Sequence, residues 1–145
     1  PVPDGEHIVP LGRAEVRRTG RDVTVVTYGY GVRIALEAAT ALAGDGIEAE
    51  VIDLRSLVPM DIARIVDSVR KTGRLLCLEE GTRTGGVGAE IAACVAEHAY
   101  EYLDAPIRRV AAADLPIPFS PALEPLTLPQ ASDVVREVRL VCRGR

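Results

Sequence analysis

The sequence predicts a three-layer α/β/α sandwich built on a mainly parallel sheet of four or five strands. Short β-branched or apolar runs recur at Val23–Tyr28, Ala49–Leu54, Arg74–Leu78 and Ile107–Ala111, each too short for a helix and suited to a buried strand. Stretches with apolar residues at helical spacing alternate with them. Alternating strands and helices imply right-handed βαβ units, whose parallel sheet is covered on both faces.

Residues 1–13 read as a linker and lead-in from a missing N-terminal domain. The chain opens Pro-Val-Pro-Asp-Gly without an initiator Met, and a short edge segment is expected at His7–Arg13. Residues 14–145 make the domain. After the first strand, Val32, Ala35, Leu36, Ala39 and Leu42 form a core-facing helical stripe that Gly44 and Gly46 stop. After the second, Asp61 is placed to cap a helix lined by Ile62, Ile65, Val66 and Val69, with Arg70, Lys71 and Gly73 at its end. The third strand meets a turn-rich loop, Gly81–Gly88, and a long amphipathic helix that Pro106 limits. Five prolines make Asp114–Gln130 an extended, stiff passage. Ser132 or Asp133 then caps a last helix with Val134, Val138 and Val141 inward.

Bulk properties narrow the function. With 145 residues the chain can bury one core without staples, and its net charge of −4 offers no basic patch for nucleic acid. No apolar run approaches the roughly 20 residues of a membrane span. Cys77, Cys94 and Cys142 are widely spaced, without a CxxC or a histidine cluster, and read as reduced packing residues. Both glycine clusters, Gly29-Tyr30-Gly31 and Gly86-Val87-Gly88, lack the third glycine of a dinucleotide loop, and neither carries the Lys-Ser/Thr of a P-loop. His98 shares a helical face with Ile91, Cys94 and Val95 and reads as packed or interfacial.

The carboxylates are the remaining candidates. Glu79 and Glu80 adjoin at a strand end, so they point in opposite directions and cannot serve one site as an acid/base pair. With Gly85, Gly86 and Gly88 they read as a structural loop, capping its amides or pairing with Arg83. Asp53 and Arg55 alternate to one side of a strand end and are expected to form an ion pair. Glu90, Glu97, Glu101 and Asp104 fall in one narrow sector at about 100° per residue, an acidic stripe that is either a solvated flank or a docking surface for a basic partner. Asp104 would oppose the dipole of a helix C-terminus, which asks for a reason.

Taken together, several segments resemble one family. DVTVVTYGYGVRIALEAA (22–39), EVIDLRSLVPMD (50–61), KTGRLLCLEEGTRTGGVGAEIAA (71–93), YLDAPIRRV (102–110) and DLPIPFSPALE (114–124) occur in the order found in the C-terminal domain of the beta subunit of thiamine-diphosphate-dependent 2-oxo acid dehydrogenases. That domain is similar in turn to the transketolase C-terminal domain. The resemblance implies an oxidoreductase that decarboxylates a 2-oxo acid on thiamine diphosphate and Mg and acylates a lipoyl group. It also implies that this domain binds no cofactor itself and is inactive alone. The partners implied are its own N-terminal domain, an alpha subunit, a second beta subunit across a two-fold axis, and the subunit-binding domain of the lipoyl acyltransferase. Asp104 is the position at which the family receives basic groups of that small domain; Glu97 and Glu101 join it by spacing alone. The family often adds its C-terminal carboxylate, whereas this chain ends Arg143-Gly144-Arg145. The compartment implied is bacterial cytoplasm or mitochondrial matrix. Two rival readings are a transketolase-like synthase, such as one making deoxyxylulose phosphate, and a free-standing module using the Gly85–Gly88 loop as an anion nest.

Overall fold

The computed structural model describes residues 4–6 and 8–143. His7 and the terminal Gly144-Arg145 lie outside the described residues, and with them part of the expected edge segment and of the arginine-containing tail. Among the described residues five strands form one sheet: β1 (Glu15–Arg18), β2 (Val23–Thr27), β3 (Ala49–Asp53), β4 (Leu75–Thr82) and β5 (Arg108–Ala112). Their spatial order is β1-β3-β2-β4-β5. All neighbours are parallel except β1, which runs antiparallel to β3 at one edge. This edge strand lies downstream of the expected segment. Glu-Val-Arg-Arg has a single apolar residue, so its only signal is pairing with a neighbour that the sequence does not reveal.

Among the described residues, α1 (Gly31–Gly44), α2 (Ile62–Thr72), α3 (Val87–Ala99) and, after a single exposed turn α4 (Glu124–Thr127), α5 (Ala131–Cys142) accompany the strands, and all but α4 pack against the sheet. Side-chain alternation along β4 sorts the core into two halves. Leu76 and Leu78 join Val23, Val25, Ile34, Ala38 and Leu42 beneath α1 and α5. Leu75 and Cys77 join Val26, Ile52, Ile65, Val69, Ile91 and Val95 beneath α2 and α3. In α1 the fully inward face is Ile34, Ala35, Ala38, Ala39 and Leu42, turned slightly from the expected stripe so that Val32 and Leu36 are only half-buried. Val134, Val138 and Val141 face inward as expected.

Helix ends and joints follow local chemistry. Asp61 caps α2 by accepting the Arg64 amide, and its second oxygen accepts the Ala14 amide, fastening the lead-in to the domain. α5 is capped two residues before Ser132: Gln130 is the N-cap, and its amide donates to Asp133 Oδ2 at 3.0 Å. The proline-rich passage is not wholly extended, because Glu124–Thr127 closes one helical turn with Pro125 in its first positions, where a missing N–H costs nothing. A buried polar chain joins the sheet to α2: Thr24 Oγ1 bonds Ser68 Oγ and Thr72 Oγ1, each at 2.7 Å, and Ser68 donates to Glu50 at 2.6 Å. Glu50 also pairs with Lys71. Among the described residues no helix is long and apolar enough to cross a membrane.

Candidate functional site

Two groups of sequence-selected residues lie at opposite ends of α3, and they differ in kind. At its start, β4 runs on through Glu79 and Glu80 to Thr82, so the strand takes up the first two residues of the expected loop. Glu79 turns inward and is 2% exposed, whereas Glu80 is half-buried and lines a surface recess with Tyr30 and Glu124. Glu79 Oε1 accepts the Gly88 amide at 3.0 Å in the first turn of α3. A carboxylate at this helix N-terminus meets both free amides and the positive end of the dipole. Its cation is Arg109 at 3.3 Å, reached across the β4–β5 pairing; Arg83 instead donates to the Arg109 carbonyl at 2.8 Å.

The glycines make this possible. Gly85 has φ of +75°, a left-handed turn that favours glycine. A Cβ on Gly86 or on Gly88 would stand 2.6 Å from a Glu79 carboxylate oxygen. The loop therefore surrounds the protein's own carboxylate, and the amide that an external anion would need is already in use.

The Asp53–Arg55 expectation is corrected. Asp53 Oδ1 accepts the Arg55 backbone amide at 3.0 Å, and the Arg55 guanidinium pairs with Glu15 on β1. Arg55 sits at φ of +59°, which swings its side chain away from Asp53 and towards the edge strand. The hydrogen bonds from Arg17 and the Arg55 charge hold the Glu15 carboxyl below the ordinary glutamate range, with the Arg17 bond the largest cause.

The other group lies where α3 ends. The helix stops at Ala99, Tyr100–Tyr102 tightens into a 3-10 turn, and Leu103 is extended. The 100° spacing that aligned the four carboxylates therefore holds for Glu90 and Glu97 but not for Glu101 and Asp104. All four are exposed, yet only Glu101 and Asp104 share a groove. That groove, of about 640 Å3, is otherwise lined by Ala96, Tyr100, Leu103, Ala105, Pro106 and Ile107. The same two carboxylates also line a smaller recess, of about 420 Å3, with Arg21, Arg70, Lys71 and Arg74. Tyr102 lines this second recess, its ring lying 5.1 Å beneath the Arg70 guanidinium. His98 is exposed rather than packed, with Nδ1 2.9 Å from the Cys94 carbonyl.

Asp104 is not left at a helix end. Its amide donates to the Gly73 carbonyl at 2.8 Å, just past α2, and its carboxylate lies 3.8 Å from Arg74. The Asp104 side chain is nevertheless 64% exposed, whereas that of Arg74 is 9% exposed. Arg74 spends Nε on the Val141 carbonyl at 3.0 Å and Nη1 on that of Asp22 at 3.3 Å. Sequence reasoning missed Gly73 and Arg74 as neighbours of Asp104. The one available signal was a charged residue opening an otherwise apolar strand.

Among the described residues no three His, Cys, Asp or Glu side chains group to hold a metal ion. The α3 N-terminus, the natural seat for a diphosphate, already accommodates Glu79. Burial pushes the Cys77 thiol up to about 12, with Arg109 opposing and Glu79 adding to the rise, so it is no thiolate nucleophile.

The chain is similar to known proteins over nearly its whole length. The pyruvate dehydrogenase E1 component subunit beta of Rhizobium meliloti is 45% identical over 94% of this chain. The mitochondrial subunit beta-1 of Arabidopsis thaliana is 50% identical over 96%, and the Rickettsia felis subunit 48% over 97%. The chain spans only 30%, 38% and 43% of the lengths of those three relatives. Among solved structures, a split-gene transketolase described as an inactive beta4 tetramer superposes with a TM-score of 0.81 at 35% identity, covering 93% of this chain and 43% of that one. A transketolase mutant from Pichia stipitis shares the fold at 16% identity, with a TM-score of 0.59 over 92% of this chain and 18% of its own. Residues 12–134 match the family described as the transketolase C-terminal domain, and the chain belongs to that family.

Proposed function

We propose that this chain is the C-terminal assembly and docking domain of the beta subunit of a thiamine-diphosphate-dependent 2-oxo acid dehydrogenase, with pyruvate the favoured substrate. The observation that carries the reading is the likeness, over nearly the whole chain, to beta subunits named for pyruvate dehydrogenase. In that enzyme thiamine diphosphate and Mg supply decarboxylation and acyl transfer from residues outside this chain, and no step runs through the side chains described above.

The domain's own work is contact. Leu115, Ile117, Phe119, Leu123 and Leu126 are all exposed along the proline-rich passage, more apolar surface than a lone domain usually leaves together. The occupant of that surface is the N-terminal domain of the same polypeptide, since the relatives are more than twice as long as this chain. The alpha subunit and a second beta subunit complete the assembly, in the bacterial cytoplasm or the mitochondrial matrix.

Asp104 and Glu101, beside an apolar groove, receive a basic and apolar element of the lipoyl acyltransferase's subunit-binding domain. Glu97 contributes to the field from outside the groove. Charge-assisted contact of this kind favours association and weakens with salt.

The reading is tested with the intact beta-type protein and its alpha partner. Pyruvate-dependent reductive acetylation of a lipoylated acceptor is the expected activity. Transfer of a two-carbon ketol unit between sugar phosphates in its place assigns the chain to a transketolase instead. Docking is tested by titrating the subunit-binding domain against Asp104→Lys. A loss of roughly tenfold or more is expected for reversal of a contacting charge; equal affinity removes Asp104 from the interface.

A further inference from the structure

The position of Asp104 depends on a residue with no side chain. Gly73 ends α2 in the left-handed conformation, with φ of +68°. Its carbonyl accepts the Asp104 amide at 2.8 Å. A Cβ on Gly73 would stand 2.8 Å from Asp104 Cγ and closer still to Oδ2. The space that glycine leaves is therefore the space the carboxylate fills, and Arg74 lies 3.8 Å beyond it.

We infer that Gly73 is a positioning residue for docking: it gives the Asp104 carboxylate a fixed seat over the end of α2, with the buried Arg74 guanidinium behind it. The inference rests on the docking role proposed for Asp104. Its physical content is orientation. The Asp104 side chain is largely exposed, and an exposed side chain without a seat samples several rotamers, only some of which present the carboxylate to a partner. Arg74 cannot follow a displaced carboxylate outward, because Nε and Nη1 are held by the Val141 and Asp22 carbonyls.

A substitution at Gly73 costs stability through its positive φ alone, so a control is needed that has the same cost and leaves Asp104 untouched. Gly46 supplies it. It lies two residues past the end of α1 at φ of +76°, and an added Cβ there meets nothing within 4 Å.

The experiment measures affinity of the intact protein, assembled with its alpha-type partner, for the purified subunit-binding domain. Gly73→Ala and Gly46→Ala are compared in the parent and in an Asp104→Asn background. Gly73→Ala is expected to weaken docking about fivefold in the parent and less than about 1.5-fold in the Asp104→Asn background, while Gly46→Ala changes neither. Gly73→Asn, which adds the same Cβ but tolerates a left-handed backbone, is the second variant should Gly73→Ala fail to fold, and it is expected to behave alike. Unchanged docking in the Gly73 variant, or an equal loss in both backgrounds, overturns the positioning role while leaving Asp104 in place. Unchanged docking in Asp104→Asn itself overturns both readings.

Discussion

Gly88→Ala separates a rule read from sequence from a contact made in space. Gly88 lies in the first turn of α3, where replacing glycine by alanine ordinarily gains up to about 1 kcal/mol. Here the added methyl would stand 2.6 Å from Glu79 Oε1 and 3.2 Å from both Arg109 Nε and Cys77 Cβ. Glu79 cannot give way freely, because the same oxygen holds the Gly88 amide and the Arg109 guanidinium. Overpacking costs about 1–3 kcal/mol, and loosening a hydrogen bond to a charged group adds about 1.5–3. After subtracting the gain in propensity, a net loss of about 1.5–5 kcal/mol is expected, or roughly 5–15 °C in Tm. Urea and thermal unfolding, followed by circular dichroism, read it directly. Gly44→Ala, at the last residue of α1 with open space around the new methyl, is the internal standard and is expected to be neutral or mildly stabilising. Should Gly88→Ala match that standard, Glu79 is not packed against the helix start, and the account of the glycine loop is wrong.

Two further outcomes concern the core. The Cys77 thiol is raised from 9.0 to about 12, so its folded-state value lies above its unfolded one. Its contribution is complete below about pH 9 and disappears as pH rises towards 12, by up to about 4 kcal/mol for a shift of that size. Cys77→Ala is expected to be less stable at neutral pH but to lose less between pH 9 and 11; parallel pH profiles for the two proteins rule the thiol out as a source. Thr24→Val keeps the shape of a fully buried side chain but removes the oxygen that joins Ser68 to Thr72. A loss of about 1–3 kcal/mol in urea unfolding is expected from the stranded hydroxyls, and Thr24→Val with Ser68→Ala and Thr72→Val should recover part of it.

The sequence alone carried most of the fold because its signals are local. The four parallel strands announce themselves as short β-branched or apolar runs, and the valine stripe of α5 faces inward as its spacing says. Asp61 caps the helix it precedes, since a cap is set by residues three apart. The position of Glu79 at a strand end, opposite in direction to Glu80, followed from the two-residue period of a strand.

Tertiary structure decided everything that depends on which distant residues meet. Arg55 could be matched to Asp53 by proximity in sequence, but a left-handed turn sends it to Glu15, 40 residues away. Glu79 finds Arg109 rather than Arg83 because β4 and β5 are neighbours in the sheet. β1 has so little apolar character that only pairing with β3 makes it a strand. At the other end of α3, a uniform helical angle placed Asp104 on a stripe, whereas the change to a 3-10 turn at Tyr100 carries it onto Gly73 and Arg74. Residue type and period specify the faces of single elements. The partner of a charge is fixed only when packing brings elements together, and for Asp104 that packing supplies both its seat and its exposure.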